Sequence, residues 1–73
     1  MSDESSPNSG AEQVEALLRR RLGRRVWELR VLIQDGCLVL QGYAVNYHTK
    51  QLAQHLAMEA VGLPVRANEI QVR

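Results

Sequence analysis

Apolar and polar positions change period along this chain in a way that divides it into five elements. From Ala11 to Leu22 the apolar residues Ala11, Val14, Leu18 and Leu22 recur at helical spacing with Leu17 beside them, so a helix is predicted there. Ser9 and Glu12 form a capping box at its start, and Gly23 follows its last apolar position as a terminator. Arg21 falls inside the apolar stripe, which predicts a frayed end or a side chain that snorkels to water. After Val26 and Trp27 the period shortens to two. Leu29, Val31 and Ile33, then Leu38 and Leu40, flank the dipeptide Asp35-Gly36, a strong hairpin signal because a type I′ turn needs positive φ at both central residues.

That turn predicts a register. Gln34 faces Cys37, Ile33 faces Leu38, Leu32 faces Val39, Val31 faces Leu40, Arg30 faces Gln41 and Leu29 faces Gly42. One side of the hairpin is then wholly apolar and must meet a core. The other mixes Leu32, Val39 and Cys37 with Arg30, Gln34 and Gln41. Residues 43–48 are expected to carry the chain off the sheet, with Gly42 at the point of departure and Asn46 as N-cap of a second helix. Leu52, Ala53, Leu56, Ala57 and Ala60 share a face of that helix, which Gly62 and Pro64 end. A closing strand over about residues 65–72 directs Ile70 and Val72 inward, Glu69 and Gln71 outward. The expected fold is α+β, an α-β-β-α-β two-layer sandwich with a three-stranded mixed sheet and both helices on one face. Leu32, Val39 and Tyr43 are left on the uncovered face.

Seventy-three residues hold one small domain, whose core supplies about 3–5 kcal/mol of net stability. Residues 1–8, rich in Ser, Asp, Glu, Pro and Asn, are expected to form a disordered tail, leaving residues 9–73 as the domain. Neither a signal peptide nor a spanning segment is visible, so a soluble, cytoplasmic chain is expected, with peripheral membrane attachment left open. Cys37 is the single cysteine and is read as a structural thiol.

The spacing of Gly36, Leu38, Leu40 and Gly42, then Lys50, Ala53, Leu56 and Ala57, then Gly62, Leu63, Asn68, Ile70 and Val72 resembles the BON domain, the module named for bacterial osmotic-shock and nodulation proteins. The likeness covers residues 14–72. In it Gly36, Gly42, Gly62 and Asn68 are structural positions. Arg66 stands where the family usually has valine, with Val65 one place early, which predicts a shifted or bulged start to the last strand. Ala44 replaces a larger residue. The resemblance implies a non-enzymatic binding module that associates with phospholipid at membrane surfaces, often in the periplasm and within larger proteins.

Candidate chemistry is sparse. His48 and His55 lie seven residues apart on one helix, about 10 Å along its axis, too far to share a metal, and His55 with Glu59 lacks a third ligand. No catalytic triad, phosphate-cradling glycine loop or carboxylate pair appears, so neither enzyme activity nor a cofactor is expected. A net charge of +1 conceals the cluster Arg19, Arg20, Arg21, Arg24 and Arg25, which suits anionic headgroups, equally nucleic-acid phosphates, or a solvated helix end complementing the dipole and the nearby glutamates. Helical spacing groups Arg20 with Arg24 and sets Arg19 apart. Trp27, Tyr43, Tyr47 and Met58 are left over by the core. Amphipathic aromatics beside arginines suit a membrane interface, although for Trp27 the simpler expectation is packing at the core's end. Three partners follow in order: anionic phospholipid through Arg19, Arg20, Arg24, Arg25, Trp27, Tyr43 and Tyr47; a protein or second copy through Leu32 and Val39; and, last, nucleic acid, for which the basic footprint is too small.

Overall fold

The computed structural model describes residues 9–73; the expected tail and the capping role of the Ser9 side chain lie outside what is described. Helix α1 spans Ser9–Leu22, a 3-10 turn follows over Gly23–Arg25, strands β1 and β2 span Val26–Gln34 and Cys37–Ala44, helix α2 spans Tyr47–Val61 and strand β3 spans Val65–Val72. The strands lie in the order β1-β2-β3, with β1 antiparallel and β3 parallel to the central β2. Both helices bury their apolar stripes in one cluster with Leu29, Val31, Leu38, Leu40 and Ile70, the α+β sandwich that the hydrophobic pattern demands. Leu18, Leu38 and Leu40 are fully buried, each contributing about 1.5–3 kcal/mol by removal from water.

The hairpin turn takes φ 53° at Asp35 and 75° at Gly36, and the pairs from Gln34–Cys37 to Arg30–Gln41 follow the expected register. Below Arg30 the register departs from expectation. Trp27 pairs with Tyr43, so Glu28 and Leu29 together stand opposite Gly42 in a bulge, with Glu28 at φ 52°. The extra residue explains how Val26 and Leu29, three apart, both point into the core. Nor is Gly42 where β2 leaves the sheet: the strand continues through Tyr43 to Ala44. Its role is close approach. A Cβ on Gly42, whose φ is +137°, would lie 2.9 Å from the Glu28 carbonyl oxygen and 3.0 Å from Leu29 Cα.

Asn46 caps α2, its side chain accepting from the Thr49 amide at 2.8 Å, and Gly62 closes the helix in the left-handed region, its amide donating to the Met58 carbonyl. Ala53 and Ala57 are buried as expected, whereas Ala60 faces solvent because Val61 takes the packed position in the last turn. Arg66 is bulged out of β3, between the pairs Leu38–Val65 and Val39–Ala67. Val65 therefore still packs on the core. Asn68 ties β3 to α2, donating to the Lys50 carbonyl and Gln54 Oε1 while its Oδ1 accepts from the Ile70 amide. Val72 keeps Ile70's alternation but lies at the rim, exposed rather than inward. Helix α1 stays intact to Leu22, with Arg21 exposed on it.

Candidate functional site

Strand directions gather the unspent side chains at one end of the molecule. Because β1 runs against β2 and β3 runs with it, the start of β1 and the ends of β2 and β3 lie together, beside the 3-10 turn that follows α1 and the start of α2. Backbone hydrogen bonds stitch this end, from Val45 to the Arg25 carbonyl at 3.0 Å and from Arg73 to the Ala44 carbonyl at 2.8 Å. Trp27 is 40% exposed, Val45 41%, Tyr47 62% and Val72 45%; of the exposed large apolar side chains among the described residues, only Met58 lies elsewhere. These exposed apolar side chains share this end of the molecule with the cations of the 3-10 turn and of the chain after β3.

The arginines divide by what they already hold. Arg19 is committed to the fold: its guanidinium donates to the Leu29 carbonyl at 3.1 Å and pairs with Glu15 at 3.2 Å, while the other Glu15 carboxylate oxygen accepts from the Val31 amide at 2.9 Å. Since β1 is an edge strand, these two α1 side chains occupy backbone groups that would otherwise invite another strand. Arg25 turns back on α1, donating to the Leu22 and Arg21 carbonyls and complementing the negative end of the helix. Arg20, Arg21 and Arg24 are exposed and hold no hydrogen bond or ion pair among the described residues. The expected grouping of Arg20 with Arg24 by helical spacing does not apply, because α1 ends at Leu22 and Gly23 breaks the helix at φ 58°. Both nevertheless belong to the same end of the molecule.

Trp27 does not pack at the end of the core. It points out of the uncovered sheet face and stacks on Tyr43, with ring centroids 5.8 Å apart and planes 22° from parallel. Arg73 lies over the other aromatic, its guanidinium carbon 4.6 Å from the Tyr43 centroid. Sequence reasoning missed Arg73 and Val45, which strand pairing brings to this end, Arg73 over the Tyr43 ring and Val45 against the Arg25 carbonyl. The bulge had a signal in the three-residue spacing of Val26 and Leu29.

Further along the same face, Leu32, Val39 and Ala67 form one cross-sheet row, and Arg30, Gln41 and Glu69 the next, with Gln41 donating to Glu69 at 3.1 Å. Val39 is only 7% exposed although it lies outside the buried core cluster, shielded by its neighbours on β1 and β3. A shallow depression of about 300 Å³ between Arg30, Gln41, Tyr43 and Glu69 mixes both charges. Cys37 is half-buried beside the turn, and His48 and His55 are exposed on α2. Among the described residues, no three His, Cys, Asp or Glu side chains converge to hold a metal, and no helix is long and apolar enough to cross a membrane.

Comparison with protein-family models, with curated proteins and with solved structures found no match to this chain.

Proposed function

We propose that this chain is a small non-enzymatic binding module that docks end-on to an anionic phospholipid surface. One observation carries the reading: the fold brings Arg20, Arg21, Arg24, Arg25 and Arg73 to the same end as exposed Trp27, Val45, Tyr47 and Val72. Each arginine near a charged bilayer contributes up to about 1 kcal/mol, and exposed Trp and Tyr insert at headgroup depth, where one edge of the ring stays wet. The BON-like spacing of glycines and alanines leads to the same class of ligand. Arg19, spent on β1, contributes little.

Trp27 is the single tryptophan and supplies its own probe. With vesicles containing about one-third phosphatidylglycerol, its emission is expected to shift to the blue and the protein to cosediment; with pure phosphatidylcholine both effects fall at least about tenfold. Raising salt from about 0.1 to 0.5 M weakens the binding, as does Arg24→Glu. Equal binding to the two vesicle types, or random RNA retained more tightly than either, overturns the proposal.

A further inference from the structure

Two adjacent rows of the uncovered sheet face are antisymmetric about the central strand, one in size and one in charge. At one level β1 presents Leu32 and β3 presents Ala67, with Val39 between them. At the next, β1 presents Arg30 and β3 presents Glu69, with Gln41 between. Gln41 is the partner that Glu69 holds, and Arg30 has none among the described residues. A two-fold axis lying along β2 in the plane of contact exchanges the two sides of the sheet while keeping each residue at its own level. Such an axis lays Leu32 of one copy on Ala67 of the other, Arg30 on Glu69, and Val39 and Gln41 on themselves. An axis across the strands instead sets β1 on β1 and β3 on β3, which gains neither complement.

We propose that the occupant of this face is a second copy of the chain, packed sheet to sheet about a two-fold axis parallel to β2. Large residues meet small ones and opposite charges meet, the pairing that favours close packing and correct register. A three-stranded face is narrow: about 14 Å wide by 26 Å long from ordinary strand spacing and rise. That places the interface below the range of stable dimers and makes this one transient, with a Kd between about 10 μM and 1 mM. The same axis leaves the arginine ends of both copies pointing in one direction, so a surface met by the arginines of one copy is within reach of those of the other, while the Trp27–Tyr43 row lies on the shared face. This consequence rests on the membrane reading; the dimer does not.

Sedimentation equilibrium in lipid-free buffer, over about 10 μM to 1 mM protein, tests the dimer separately from the docking. Monomer and dimer are expected in that range. Arg30→Glu and Glu69→Arg each weaken association at least about tenfold by facing like charges, and the double variant restores it to within about threefold. These side chains are exposed, so the variants keep the circular dichroism spectrum of the parent. A monomer at every concentration overturns the proposal, as does a dimer that the double exchange fails to restore.

Discussion

Replacing Gly42 by alanine tests the bulge most directly. The added Cβ would sit 2.9 Å from the Glu28 carbonyl oxygen, 3.0 Å from Leu29 Cα and 3.1 Å from the Trp27 carbonyl oxygen, all of them backbone atoms. Ordinary contact begins near 3.4 Å, so β1 must give way by 3.4 − 2.9 = 0.5 Å at a point that also positions the buried Leu29. Strain at φ +137° costs about 1–3 kcal/mol and forced repacking about 1–3 more, less about 0.4–1 kcal/mol for the stiffer unfolded chain. The net expectation is about 3 kcal/mol. Gly36→Ala is the control, since φ there is +75° but no atom of the described residues lies within 4 Å of the new Cβ. Its cost is about 1 kcal/mol, from the left-handed backbone alone. At about 4–8 °C per kcal/mol for a domain of this size, Gly42→Ala should melt about 8–16 °C below Gly36→Ala. Urea and thermal unfolding followed by far-ultraviolet circular dichroism measure both. Equal losses, or a larger loss at Gly36, would refute the steric argument and with it the account of the bulge.

Two further substitutions probe what the helices contribute. Glu15→Ala leaves the half-buried Val31 amide without its acceptor and should cost about 1–2 kcal/mol, with hydrogen exchange at Val31 at least about tenfold faster; unchanged exchange there means that Glu15 does not guard the β1 edge. Thr49 Oγ1 is buried with no hydrogen-bond partner among the described residues, while its backbone amide is satisfied by Asn46, so the nearly isosteric Thr49→Val should stabilise the domain by about 1 kcal/mol in urea unfolding. A destabilised Thr49→Val protein would show the hydroxyl to be engaged.

Local chemistry along the chain determined most of the scaffold. Asp35 and Gly36 set the turn and the hairpin register as far as Arg30 and Gln41, Asn46 and Gly62 bound α2, the stripe from Ala11 to Leu22 defined α1, and Arg66 beside Val65 marked a bulge, because turn dihedrals, caps and periodicity depend on residues a few positions apart. Tertiary structure alone decided which side chains remain for a partner. Arg19 is spent on the Leu29 carbonyl ten residues away, Trp27 swings outward because Glu28 inserts a residue opposite Gly42, and Arg73 reaches Tyr43 across a parallel pair. The direction and order of strands set these contacts, and they bring together residues whose separation along the chain carries no periodic signal.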